Sequence, residues 1–283
     1  MVAFLGMGLL GSNWVRAMRK RGEEVHVWNR TASKASALEE FGATAFATPA
    51  EAVKGAKRVH LCVSDDAAVD SILEAASPNF ERDVIIIDHT TTTATGAKER
   101  TAHWKAKGIT FIHAPVFMGP QNALESTGMM LVSGDQNVIK QVEPELSKMT
   151  GHLENVGEKV GEAAAYKLLG NHLFLAISAG LGDTFTLGKA LGLSRSDVVD
   201  YIEQMATAPL KARVARLLQG NYDDPSWELN MARKDARLMT EETERAGMKL
   251  DVMPSFGQHM DKLIAEGFGA KDWTIVVKEA ITE

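Results

Sequence analysis

The residues with the most chemical content stand at the start of the chain, where Gly6-Met7-Gly8-Leu9-Leu10-Gly11 follows the apolar run Val2–Leu5 and opens a helical pattern. Each glycine at this spacing has its own task. Gly6 permits a tight turn, Gly8 lets the backbone approach a pyrophosphate, and Gly11 lets a helix pack close to a sheet with its N-terminal amides facing the anion. Glycines that serve turns and packing alone are the plainer alternative. The placement after a strand and before a helix favours a dinucleotide loop formed by Gly6, Met7, Gly8, Leu9, Leu10 and Gly11.

A second group lies at the end of the next strand pattern, where Asn29-Arg30-Thr31 is followed by Lys34. A site for NAD(H) carries an acidic residue here to accept the ribose hydroxyls. This chain has none, so nothing repels a 2′-phosphate. The planar donor fork of Arg30, the Thr31 hydroxyl and Lys34 all suit that phosphate; plain surface charges at Arg30 and Lys34 are the alternative. The pattern predicts NADP(H) as the preferred cofactor, with NAD(H) as a possible substitute.

A third group is Lys167 with Asn171 on the stretch Gly161-Glu162-Ala163-Ala164-Ala165-Tyr166-Lys167-Leu168-Leu169-Gly170-Asn171. Their i,i+4 spacing puts both on one helix face. Small and apolar neighbours place the lysine away from an ordinary charged surface. Two readings stay open on spacing alone: an amine held beside a reacting oxygen, where desolvation favours proton transfer, or a lysine snorkelling from the helix edge.

These groups need elements to position them. Short apolar runs at Val2–Leu5, Glu24–Trp28, Arg58–Val63, Val84–Asp88 and Thr110–Ala114 alternate with helical patterns at Ser12–Arg21, Ser33–Phe41, Ala67–Glu74 and Ala94–Lys107. That alternation predicts βαβ units around a mostly parallel sheet. Met129–Val132 and Gly151–Val156 read as further strands. Beyond Gly157 the periodicity is helical, with a long apolar helix from about Glu162 to Leu191 and later helices at Arg195–Met205, Leu210–Leu218, Ala232–Ala246, Val252–Glu266 and Trp273–Ile281. The expected fold class is α/β: a Rossmann-type dinucleotide-binding domain over 1–157, then an all-α domain over 158–283 for substrate binding and oligomerisation, with the long helix between them.

Composition narrows the function classes. A net charge of -6 without long charge runs leaves no nucleic-acid footprint and no polybasic membrane patch. The single cysteine, Cys62, excludes an internal disulfide and reads as a small buried core residue. The lone cysteine fits a cytoplasmic protein, and the start lacks a secretory pattern. His89 and His113 flank strand ends without metal-ligand spacing, so no metal is expected; His89 is expected to pack, with a contact to substrate or cofactor as the alternative.

Taken together, these motifs resemble the β-hydroxyacid dehydrogenase family, which includes 3-hydroxyisobutyrate dehydrogenase and the glyoxylate and succinic semialdehyde reductases. Besides the glycine motif, the resemblance rests on Asp88-His89-Thr90-Thr91, His113-Ala114-Pro115-Val116, Gly161 through Lys167 to Asn171, and Trp227 through Lys234-Asp235. It implies an active cleft between the domains, Lys167 as the catalytic lysine and Asn171 as the residue that orients lysine or substrate. It also implies cofactor contacts from Val63, Ser64, Thr91 and Lys234, structural carboxylates at Asp88 and Asp235, a packing role for Trp227, and a homodimer or homotetramer.

The chain departs from that pattern after Val116. The family has serine and then glycine, whose hydroxyl and amides receive the substrate carboxylate; here Phe117, Met118 and Gly119 form the expected substrate-binding segment. Two other functions stay in view: an imine reductase of the same superfamily, and a non-catalytic dinucleotide-binding scaffold. Retention of the lysine segment favours chemistry on a hydroxyl or carbonyl carbon of a small molecule.

The phosphate reading of Arg30 has a direct consequence. Arg30→Ala should weaken NADPH binding by roughly 10- to 100-fold, because a charge-assisted hydrogen bond contributes about 1.5–3 kcal/mol, and should leave NADH binding almost unchanged. Titration of both cofactors checks this, and equal losses would remove Arg30 from the 2′-phosphate.

Overall fold

The computed structural model describes residues 1–190, 192–205, 208–245, 250 and 252–282. By contacts it divides into two compact units, Met1–Leu168 and Leu169–Glu283.

In the first unit β1 (Val2–Leu5), β2 (Val25–Trp28), β3 (Thr44–Ala45), β4 (Arg58–Leu61), β5 (Ile85–Asp88) and β6 (Thr110–His113) form one parallel sheet in the order β3-β2-β1-β4-β5-β6. β7 (Val116–Phe117), β8 (Met129–Val132) and β9 (His152–Asn155) form a second sheet, antiparallel between β7 and β8 and parallel between β8 and β9. The helices are α1 (Leu9–Lys20), α2 (Ala32–Ser36), α3 (Pro49–Val53), α4 (Asp66–Ala76), α5 (Ala94–Ala106), α6 (Pro120–Glu125) and α7 (Gln136–Leu146).

The parallel strands are short, and β1 and β5 are buried at every residue, as strands covered on both faces are. Along β1, Phe4 packs with Trp14, Val15 and Met18 of α1 and with Met130, Ile139 and Leu146, while Ala3 and Leu5 pack on the opposite face with Val69, Leu73 and Trp104. The buried Trp14 indole also donates from Nε1 to the Met149 carbonyl at 3.1 Å, tying α1 to the segment that follows α7.

Helix starts in this unit follow side-chain caps. Asp65 accepts from Ala68 N at the head of α4, Thr93 from Gly96 N at the head of α5, and Asp135 from Asn137 N and Val138 N at the head of α7. Thr48 and Glu51 form a reciprocal capping box with Pro49 in the first turn of α3. This helix was absent from the periodicity because it is only a turn and a half long.

The expected helix Ser33–Phe41 is broken: α2 stops at Ser36 and a 3₁₀ turn covers Glu39–Phe41, closed by Gly42 at φ +84°. Cys62 is half-buried, packed against the core just beyond the end of β4 rather than fully inside it.

The second unit is helical. The long helix α8 (Glu162–Ala190) starts in the first unit and continues into the second, followed by α9 (Arg195–Met205), α10 (Ala208–Gln219), α11 (Leu229–Arg245), α12 (Met253–Leu263) and α13 (Lys278–Ile281). Leu191 and Ala246, the expected ends of two helices, lie outside the described residues. The expected helix Trp273–Ile281 is a 3₁₀ segment over Trp273–Val277 running into α13, with Asp272 accepting from Thr274 N at its start. The half-buried Trp227 packs on Trp273 with ring centroids 5.3 Å apart. No described helix is long and apolar enough to cross a membrane.

Candidate active site

The glycine loop shows why each glycine stands where it does. Gly6 has φ +103°, and a Cβ there would overlap the Cys62 carbonyl oxygen and come within 2.8 Å of Val63 Cγ1. A Cβ on Gly11 would overlap the Gly6 carbonyl oxygen and meet Phe4 Cε1 at 3.1 Å. By contrast, a Cβ on Gly8 would meet nothing within 4 Å. Gly6 and Gly11 therefore permit close backbone packing, while Gly8 keeps its side toward solvent bare. Residues of this kind fit a dinucleotide pyrophosphate at the head of α1, where Gly8 and Leu9 are exposed and Leu10 is half-buried.

Asn29 fixes this loop from the end of β2. Its Oδ1 accepts from Met7 N at 2.9 Å and its Nδ2 donates to the Thr31 carbonyl at 2.9 Å. Both functions of the amide bind protein backbone, so Asn29 acts as a brace between the loop and the following segment. Arg30, Thr31 and Lys34 are exposed beside it.

Val63 and Ser64 follow β4, and Thr91 follows β5, all half-buried. These neighbouring parallel strands end on the same side as β1. Thr90, unremarked in the sequence, links the two loops: its Oγ1 accepts from Val63 N at 3.0 Å and its own N–H donates to Asp88 Oδ1 at 2.9 Å.

On α8, Lys167 is 8% exposed and its ammonium stands over the Phe117 ring, 4.4 Å from the centroid. This contact decides against a lysine snorkelling into water. Met118 and Gly119 follow Phe117, half-buried, and Gly119 N donates to Asn122 Oδ1 at 2.9 Å. Gly119 therefore spends its amide on its own loop, which the sequence could not reveal.

In the second unit Asn171, 4% exposed, donates from Nδ2 to Asp235 Oδ2 at 2.6 Å. Lys234 Nζ lies 2.5 Å from Asp235 Oδ1. One buried carboxylate thus holds an amide and an ammonium together, and Asn171 owes its orientation to Asp235.

The model of the NAD-binding domain of 6-phosphogluconate dehydrogenase matches residues 1–157, more than half of the chain. The chain belongs to that NAD-binding family. It is an oxidoreductase with the β-hydroxyacid dehydrogenase fold. Residues 159–281 match the C-terminal domain of NADPH-dependent reductive aminase-like proteins. An uncharacterised oxidoreductase of Shewanella frigidimarina is 28% identical over 257 residues, covering 89% of this chain and 88% of the relative. Among solved structures, 3-hydroxyisobutyrate dehydrogenase of Mycobacterium tuberculosis with L-serine has a TM-score of 0.85 at 22% identity, covering 99% of each chain. An imine reductase of Myxococcus stipitatus with NADP+ has a TM-score of 0.69 at 20% identity, covering 98% of this chain and 99% of that one.

Inside the NAD-binding domain of this family member, His89 serves packing. It is 2% exposed, its Nδ1 lies 2.8 Å from the Ala114 carbonyl, and its Nε2 lies 3.0 Å from His60 Nδ1. A carbonyl can only accept, so Nδ1 of His89 carries hydrogen and Nε2 receives the His60 Nδ1–H. The Trp14 ring lies on it at 4.9 Å, and His60 stacks on Phe4 at 5.7 Å. Burial pushes the His89 pKa down from 6.5 to about 4, and burial with the neighbouring His89 pushes His60 well below its usual range. Both rings stay neutral, as their single shared hydrogen bond demands.

This generates a stability prediction with a definite sign. Below pH 6.5 the unfolded chain takes a proton on His89 that the folded chain excludes until about pH 4. The stabilisation of the neutral ring is present above pH 6.5 and is lost as pH falls through that window, by at most about 3 kcal/mol for this one group. Denaturant midpoints between pH 7 and pH 4 should fall, and His89→Gln should flatten the slope. An unchanged slope in the variant would place the proton uptake elsewhere.

Proposed function

We propose that this chain is an NADP(H)-dependent reductase or dehydrogenase of small hydroxyl or carbonyl compounds, with Lys167 as its proton-transferring group. The observation that carries the reading is the buried Lys167 ammonium held over an aromatic face at 4.4 Å. A cation–π contact is worth about 0.5–2 kcal/mol and helps to hold the amine out of water.

Bound cofactor supplies the hydride, delivered from the nicotinamide ring. The chain's residues do the rest. Gly6, Met7, Gly8, Leu9, Leu10 and Gly11 seat the pyrophosphate, Arg30, Thr31 and Lys34 hold the 2′-phosphate, and Asn29 braces the loop. Val63, Ser64 and Thr91 contact the nicotinamide end. In reduction, the Lys167 ammonium donates its proton to the oxygen of the former carbonyl. In oxidation, the neutral amine takes the hydroxyl proton. Asn171, fixed by Asp235, orients the reacting groups.

Phe117, Met118 and Gly119 shape the substrate class. Phe117 offers a ring where a hydroxyl donor would suit a carboxylate, and the Gly119 amide is engaged by Asn122. Placing a carboxylate there without donors is costly, so uncharged or more apolar aldehydes and ketones suit the segment better than the shortest acids. The match of the helical domain to reductive aminase-like proteins favours a second reading, reduction of a C=N bond on the same scaffold. The retained Lys167 supports oxygen chemistry as the first.

Lys167→Ala should lower turnover by about 10²–10⁴-fold, the usual contribution of general acid–base catalysis, with little change in NADPH affinity. The assay uses a chain-length series of aldehyde acids beside their uncharged analogues, together with cyclic imines. The parent should show weak preference for short acids. A folded variant that keeps parent rates would remove Lys167 from the chemistry, and activity confined to imines would favour the second reading.

A further inference from the structure

A charge cluster around the buried Arg100 has no part in the chemistry above. Arg100 lies on α5 and is 4% exposed. Its Nη2 bonds Asp66 Oδ1, its Nε donates to Asp70 Oδ1 at 2.8 Å, and its Nη1 lies 3.9 Å from Asp88 Oδ2. Three carboxylates from two elements thus face one guanidinium: Asp66 and Asp70 from α4, and Asp88 from the end of β5.

The cluster reaches into both loops proposed to carry the nicotinamide end. Asp66 directly follows the loop after β4, and it accepts from Thr93 N at 3.1 Å and from Thr93 Oγ1 at 3.3 Å. Thr93 closes the loop after β5 and caps α5. At the inner end Thr90 makes the second tie, receiving Val63 N and donating to Asp88 Oδ1; its carbonyl accepts from His113 Nε2 at 2.8 Å. The two loops are therefore joined at both ends, through Thr90 and through Asp66, Thr93 and Arg100.

Gly96 records how tightly this outer tie is packed. A Cβ there would overlap Asp66 Oδ1 and lie 2.7 Å from Arg100 Nη2 and 2.9 Å from Thr93 Oγ1. The guanidinium supplies the positive charge that offsets carboxylate repulsion, and its planar fork fixes the angle between Asp66 and Asp70. A lysine would keep the charge and lose the fork.

We propose that Arg100 is a positioning residue that sets the loop after β5 against the loop after β4, and so sets the distance over which hydride moves. The proposal rests on the placement of the nicotinamide beside Val63, Ser64 and Thr91.

The test compares the parent with Arg100→Met, Arg100→Lys and Ser64→Trp, using NADPH deuterated at C4. Arg100→Met should lower kcat by about tenfold or more, since a misplacement of about 1 Å can cost on the order of 10²-fold, while NADPH affinity shifts far less. The primary deuterium isotope effect on kcat should rise, because hydride transfer becomes more rate-limiting. Arg100→Lys should rescue part of the rate, and it carries the test if Arg100→Met does not fold. A merely structural arginine would lower thermal stability and leave kcat and the isotope effect of the folded enzyme as in the parent, which would overturn the proposal. Ser64→Trp tests the placement separately. Unchanged NADPH binding and turnover there would overturn the placement and the proposal with it, whereas an impaired Ser64→Trp beside parent-like arginine variants would overturn the positioning role alone.

Discussion

The close approach of β1 to α1 through Gly6 and Gly11 is the constraint on which the rest of the first unit depends. The Gly6 carbonyl lies where a Cβ of residue 11 would stand, and the Cys62 carbonyl lies where a Cβ of residue 6 would stand. These contacts bring three backbone segments together at the ends of β1 and β4. Because the strands are parallel, the loops after β1, β2, β4 and β5 leave the sheet on one side. Ligands of open α/β sheets gather at such strand ends. Without the missing side chains at Gly6 and Gly11, the loop could not form and the helix head could not face an anion.

Rigidity behind that loop comes from polar groups whose hydrogen bonds are used. Asn29 braces the loop from β2, Thr90 joins the loops after β4 and β5, and His89 with His60 fills the space beneath Trp14 and Phe4. A buried polar group without a partner is costly, so each completed network favours one arrangement of its loops. The same logic operates in the second unit, where Asp235 gathers Asn171 and Lys234. The proposed proton donor, Lys167, has the face of Phe117 among its contacts.

The parallel sheet and the helical second half were legible because their signals are local. Val2–Leu5 and Met129–Val132 appear at the expected bounds, and the other expected strands differ only at their ends. Short elements such as α2 and α3 were misread or missed, since a turn or two gives no periodicity. The glycine loop was readable because three glycines fall within six positions directly after the apolar run Val2–Leu5. Partners distant in sequence were not. Nothing near Arg100 announces Asp66, which lies 34 residues earlier, and nothing near Asn171 announces Asp235, 64 residues later. The engaged amide of Gly119 was hidden for a different reason, as Asn122 looks like an ordinary first-turn residue until its side chain is seen to fold back.

Hydride transfer to a carbonyl carbon under Lys167 is tested most directly by following the label itself. The folded chain is mixed with NADPH carrying deuterium at the reactive C4 position and an uncharged aldehyde, and the alcohol formed in one turnover is analysed by mass spectrometry. Deuterium should appear on the former carbonyl carbon, from one face of the nicotinamide only. Tight cofactor binding with no label in any alcohol, across aldehydes and ketones alike, would contradict carbonyl reduction by this chain.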